Sequence, residues 1–451
     1  MNLEFPPLPV DVRFHFPLLV VAGIFTHLLI KRVKGSPKYP PGPAAWPVVG
    51  NILSLSLQGA WISLTEFKKT YGDLIFFHGL GTTVLVVNSV EAIKDLLDKR
   101  AHNYSHRPVF TVVGELMGLE KGMPLQPYGD GWREQRKVAH TALSLTAVKQ
   151  YHKLQEDLAM SLCESIIQNP ADFFSQVRLT AGRIIIAVTY GINVTSAEDK
   201  YITMAEETME LIGKATVPGA YLCDILPILK YLPAWVPFRK EATMGKTMIE
   251  EFVSKPLKHV QREIASGRAL PSLVRDLLTA EDVTPDYEHV VKWAAGSMYG
   301  AGAETTYATV LNFIMAMVLH PEKQRIAHEE LVRVMGNGRV PQIRDRGNLP
   351  YVEAIIKETM RWHPALPLGL ARRSDKDDWY NGFFVPKGTI IIPNVWAIAF
   401  SENEKYDPQD FIPERFLDVD DAAVDPTSYS FGFGRRKVAL DFVEVVYTEV
   451  V

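Results

Sequence analysis

From Pro285 to Leu319 the chain carries one uninterrupted helical pattern. Thr284 suits an N-cap, Pro285 suits a first helical position where its missing N–H costs nothing, and Pro321 opens the next helix. At the standard rise such a helix spans about 50 Å. Its apolar residues fall on all sides instead of along one stripe, so the helix is expected to cross the interior of a sizeable domain with others packed around it. The composition allows this: 451 residues, 47% hydrophobic and 22% charged, hold enough apolar material for a large core.

The remaining pattern is mainly α with a small β lobe, an α+β chain. A helical stretch near Ile62 to Thr70 precedes two β-like runs, 73–77 and 83–87, separated by Gly79 to Gly81 and predicted to pair as a hairpin. From about residue 131 to 365 helical periodicity dominates, broken at Val217-Pro218-Gly219 and Leu232-Pro233. Short strands such as Thr389 to Ile392 return afterwards, and no internal repeat is present.

A net charge of −4 offers no basic field for nucleic acid, which excludes that partner. The two cysteines, Cys163 and Cys223, exclude a disulfide framework. Cys163 falls in the apolar pattern Leu158, Met160, Leu162, Ile166 and is expected to be a buried core thiol. Residues 14–30 contain no Asp, Glu, Lys or Arg and as a helix reach roughly 25 Å, close to the thickness of the endoplasmic reticulum bilayer. Lys31-Arg32-Val33-Lys34 follows, which places the C-terminal side in the cytosol. The expectation is a single-pass N-terminal anchor within residues 1–34, with a cleaved signal peptide or a buried helix as rivals. A Pro-rich hinge over 35–43 comes next, too constrained in φ to be helical.

Four constellations carry potential chemistry. Gly300 to Thr306, in the long helix, reads either as a packing notch or as a place where Ala301 and Gly302 admit a large group and Glu304 with Thr305 pass protons. Glu358 and Arg361 lie one turn apart; such pairs are usually on the surface, but Arg415 in Pro413-Glu414-Arg415-Phe416 offers a third member for a buried triad. Trp132 and Arg136 share one helix face, either a basic amphipathic surface or two donors converging on a carboxylate. Phe431-Gly432-Phe433-Gly434-Arg435-Arg436 forms a glycine-rich loop near the C-terminus.

In this order the motifs resemble those of a microsomal, fungal-type cytochrome P450, a haem-thiolate monooxygenase, over residues 44–436. The resemblance implies a mostly helical prism with haem b between the long helix and the 431–438 loop. Trp132, Arg136, Arg372 and Arg436 are then implied propionate contacts, Phe431 part of the haem loop, Ala301 and Gly302 the oxygen-side wall, and Glu304 with Thr305 the acid and alcohol. It further implies insertion of one atom of O2 into a lipophilic substrate, electrons from an NADPH-dependent cytochrome reductase, and specificity loops near 105–125 and 205–240. Glu358, Arg361 and Arg415 become structural.

The departure falls at the iron ligand. The family's cysteine position holds Val438, Val438-Ala439-Leu440 stands where Cys-Pro-Gly is expected, and 437–451 resembles none of the family's final helix and strands. Valine has no lone pair for iron. The metal-ligand expectation is therefore none, with the domain incomplete through a retained intron or a frameshift, and the activity impaired. The competing reading is a catalytically dead, membrane-anchored binding or decoy protein. Because the sequence after residue 438 has departed too, Val438→Cys alone is expected not to restore thiolate-ligated iron. The carbon monoxide difference spectrum of that variant checks this, and a thiolate-type Soret band would overturn it.

Overall fold

The computed structural model describes residues 37–47, 49–55, 59–142, 149–217, 219–280, 284–336, 338–418 and 423–437. The anchor at 14–30, Val438 and the rest of the tail lie outside them. The principal helices are α1 (Ala60–Tyr71), α2 (Asp130–Ala142), α3 (His152–Gln168), α4 (Phe173–Tyr190), α5 (Lys200–Ala215), α6 (Pro237–Ala265), α7 (Pro285–Leu319), α8 (Pro321–Met335), α9 (Pro350–Trp362) and α10 (Val395–Ala399). The strands are β1 (Leu74–Gly79), β2 (Thr82–Val87), β3 (Arg372–Arg373), β4 (Asp378–Tyr380), β5 (Phe383–Val385) and β6 (Ile390–Pro393).

The expected hairpin forms. Leu80 and Gly81 both take positive φ, 49° and 82°, in a two-residue turn of the kind whose twist matches antiparallel strands. Four strands run in the order β1-β2-β6-β3, with β2 and β6 parallel and the other pairs antiparallel. Alternation along β1 and β2 divides their side chains between two cores: Leu74, Phe76, Leu85 and Val87 pack on the face that holds Val395 and Phe433, while Ile75, Phe77, Val84 and Val86 pack on the face of Leu64 in α1. The hinge region is extended as expected from its prolines, and it is docked: Pro41 O accepts from Phe76 N at 2.8 Å, and Tyr39 stacks on Phe76.

Helix α7 spans the predicted residues and is capped as predicted, Thr284 Oγ1 accepting from Tyr287 N at 3.2 Å. It is long and apolar enough to cross a membrane, yet it touches α2, α4, α5, α6, α8 and α9 and so serves as the core rod. Two of its glycines fit the packing-notch reading. A Cβ at Gly296 would meet Val253 of α6 at 2.5 Å, and one at Gly302 would meet Ile185 of α4 at 2.9 Å. What approaches the backbone at these glycines is a neighbouring helix. Cys163 corrects an expectation: Leu158 and Leu162 are buried, but Cys163, one residue on and so about 100° around α3, is exposed.

Gly302→Ala is expected to lose about 1–3 kcal/mol of stability through overpacking, and to lose much less in an Ile185→Ala background. Denaturant midpoints of the two singles and the double variant check this coupling; equal losses in both backgrounds would remove Ile185 as the cause.

Candidate active site

The loop 431–437 is fixed from the far end of the sequence. Gly434 has φ +59°, and a Cβ there would sit 1.9 Å from the Leu97 carbonyl oxygen, so no other residue fits. Its N–H donates to Asp98. Arg436 lies beneath the indole of Trp132, 4.9 Å from the ring centroid, and donates to Ser105 O at 2.7 Å, Met123 O at 3.2 Å and Gln126 O at 2.6 Å. Arg136, from the same face of α2 as Trp132, donates to Lys437 O.

Between this loop and α7 lies a cavity enclosing about 1710 Å³ with its mouth included. Ala301, Gly302, Thr305 and Thr306 form the α7 wall, and Phe431, Gly432 and Phe433 lie on the loop side. Thr305 donates its hydroxyl to Ala301 O at 2.8 Å, the local bond of the bland reading, while still lining the space. Trp132, Arg136, Arg372 and Arg436 line it as well, so the structure brings eight of the nine sequence candidates for catalysis and cofactor binding to one cavity. The ninth, Glu304, is not in the lining. It lies outside the cavity on α7, where partial loss of water and then Glu206 of α5 raise its carboxyl above the ordinary value and Arg178 of α4 opposes them.

The electrostatics of the lining are one-sided. Arg107, Arg136, Arg372 and Arg436 all face the cavity, and among the described residues no Asp or Glu lines it. Burial, followed by the nearby Arg436, pulls Arg372 down to about 9, and burial pulls Arg436 down to about 10. Arg107 is pushed well down by burial and by the other two. Guanidinium does not surrender its proton in proteins, so these directions mark charged groups held where water solvates them poorly. Arg372 has donor capacity to spare: one terminal nitrogen donates to Phe433 O at 3.3 Å and the other, buried, has no partner.

Arg107 is the residue the sequence did not offer. It donates to Pro124 O at 2.6 Å and to Leu370 O and Ala371 O at 2.8 Å each, binding two distant loops together behind the site. A lone arginine before Pro108 has no partner at helical spacing, so no local pattern marks it.

The triad is assembled and buried. Arg361 donates from Nε and Nη2 to the two oxygens of Glu358 at 2.7 and 2.8 Å, and Arg415 Nε donates to Oε1 at 3.1 Å. The spare donors close on backbone: Arg361 on Ala399 O, Pro408 O and Asp410 O, Arg415 on Asp407 O and Asp410 O, while Ile412 N donates to Glu358. One carboxylate thus pins residues 399–415 to α9.

The lining sets an apolar wall against a row of arginines. Comparison with known proteins supplies the family. The family model described as Cytochrome P450 matches residues 40–437. The chain is 37% identical over 433 residues to the cytochrome P450 monooxygenase COX2 of Coprinopsis cinerea, an alignment covering 94% of this chain and 82% of that one. It is 37% identical over 403 residues to the cytochrome P450 monooxygenase 105 of Postia placenta, covering 88% and 77%, and 36% identical over 425 residues to claR of Ampulloclitocybe clavipes, covering 92% and 79%. The chain belongs to the cytochrome P450 family, and its family activity is haem-dependent monooxygenation.

Haem b is the cofactor this membership implies, and the test of fit divides. The unpaired Arg372 nitrogen and the acid-free arginine rim suit propionates. Among the described residues the lining holds no cysteine for the iron: Cys163 is exposed on α3 and Cys223 is buried at 222–225, and the sequence has valine at 438.

Glu358→Gln is expected to cost roughly 3–5 kcal/mol, since it leaves two buried guanidiniums without their counter-charge. Urea unfolding of purified variant and parent measures it. A loss under 1 kcal/mol would show that the backbone carbonyls alone sustain both arginines.

Proposed function

We propose that this chain binds haem b through its carboxylate edge, and that its monooxygenase activity toward a lipophilic, non-ionic small molecule is impaired because Val438 stands at the ligand position. The observation that carries the reading is the cavity with four arginines and, among its described lining residues, no acid. Trp132, Arg136, Arg372 and Arg436 hold the propionates, with Arg107 behind them. When bound, the haem supplies the oxidising chemistry. The protein's own part is to keep water from the apolar wall formed by Ile184, Ile185 and Met298 and to present the Thr305 hydroxyl, with Glu304 as the exchangeable proton source at the outer flank. Burial, followed by Glu206, raises the Glu304 carboxyl, which eases its taking up a proton.

Electrons come from an NADPH-dependent cytochrome reductase, as the family's chemistry requires. Attachment to the endoplasmic reticulum membrane draws on residues 14–30 and on a patch where Leu226, Ile228, Tyr231 and Trp235 are all exposed. A second reading, a membrane-anchored binding protein without turnover, is favoured by Val438 alone. It predicts the same cavity occupancy with no oxygen insertion.

Titrating the purified full chain with haemin and recording the reduced carbon monoxide spectrum tests the proposal. Expected are saturable uptake and absence of the thiolate-type band. Arg372→Met and Arg436→Met should each weaken uptake by about 1.5–3 kcal/mol, roughly ten- to a hundredfold in Kd. Uptake insensitive to both arginines would overturn the propionate assignment, and a thiolate-type band would overturn the impairment.

A further inference from the structure

The cavity offers a bound group strong partners for carboxylates and weak ones for a metal. Arg372 is only 4% exposed, and one of its terminal nitrogens has no partner. Arg436, 7% exposed, spends its donors on three backbone carbonyls and keeps its full charge. A metal carried into the same space would need a donor atom from the lining. Both cysteines of the chain lie elsewhere, no histidine lines the cavity among the described residues, and residues 438–451 contain no Cys, His or Met. Three thioethers and one phenol remain. Met298 is part of the main apolar core, Met123 packs against that core, and Met360 packs with Ile356 and Phe431. A thioether is a neutral donor that holds haem iron in company with a histidine, and the lining supplies no such companion. Tyr429 packs with Leu97 and Phe433 in the sheet core, and burial pushes its phenol up, away from the phenolate that iron takes.

We propose that this cavity recognises the carboxylate edge of a porphyrin and not its centre, so that metal-free protoporphyrin IX and its zinc complex bind as tightly as haem. This rests on the cavity being the haem site, and it names the ligand class of that site: tetrapyrroles with carboxylates along one edge and an apolar remainder, whatever they hold in the middle. A carboxylate reaching Arg372 satisfies a buried donor that is otherwise unmet, and charge-assisted hydrogen bonds of this kind are the strong ones. A metal already carrying water or hydroxide gains no comparable bond on entering a lining without thiolate, imidazole or carboxylate. The apolar wall sets the other limit. Carboxylates on further sides of the ring would be pressed against Ile184, Ile185, Met298 and Leu366, desolvated and without a cation.

The purified full chain is titrated with haemin, protoporphyrin IX and zinc protoporphyrin IX, following quenching of its tryptophan fluorescence for all three and porphyrin emission for the last two. Expected are Kd values within about threefold of one another, with protoporphyrin IX dimethyl ester and uroporphyrin, which bears carboxylates on every side, each weaker by about tenfold or more. Arg372→Met should weaken all three ligands by one common factor of about tenfold or more, and Arg372→Lys, which keeps the charge, by less. A gap of about tenfold or more between haemin and protoporphyrin IX would mean that the centre is read as well, overturning the inference and leaving the haem site in place. Ester binding as tight as that of the free acid would mean adsorption on apolar surface and would overturn it too. Uptake of none of the three would overturn the haem site itself, and the inference with it. Because the ligands are compared on the parent chain, a variant that fails to fold leaves these outcomes unchanged.

Discussion

Uncompensated positive charge is the constraint on which this structure turns. Four guanidiniums face one cavity with no carboxylate among its described lining residues, and desolvation makes such an arrangement costly. The protein softens that cost with backbone: Arg107 and Arg436 each rest on three carbonyl oxygens. Carbonyl dipoles orient the cations without neutralising them, which leaves their demand for an acidic ligand intact. The contrast with Glu358 is instructive. There two arginines have their carboxylate inside the protein, and the result is a scaffold with nothing left to bind.

The division of labour follows from that contrast. The Glu358 network fixes residues 399–415, while the loop at 431–437 is fixed from the opposite side by Leu97, Asp98, Ser105 and Gln126. The long helix supplies the remaining wall and is itself held by helices that close onto its glycines. Rigid elements therefore surround the site on most sides.

What the sequence disclosed was whatever is encoded locally. Prolines and a threonine cap marked the ends of Pro285–Leu319 and Pro350–Trp362, and the Gly79 to Gly81 break marked the hairpin. Trp132 with Arg136, and Glu358 with Arg361, were legible because helical spacing puts them on one face. Less was legible where partners come from afar. Nothing near Gly302 announces Ile185, and nothing near Arg107 announces Leu370. Glu304 follows the same rule: adjacency to Thr305 in sequence means a turn of 100° on a helix, which carries the two side chains to different flanks. Cys163 beside Leu162 repeats the lesson.

The pairing of Gly434 with Leu97 and Asp98 joins positions 336 or more residues apart. Chain emerging from the ribosome can fold its helices as they appear, but this pocket cannot close until Gly434 has been made. Any prosthetic group seated there must then be acquired after that residue has emerged. Until that moment the glycine-rich loop has no surface to lie against, and the arginines that will line the pocket remain in water.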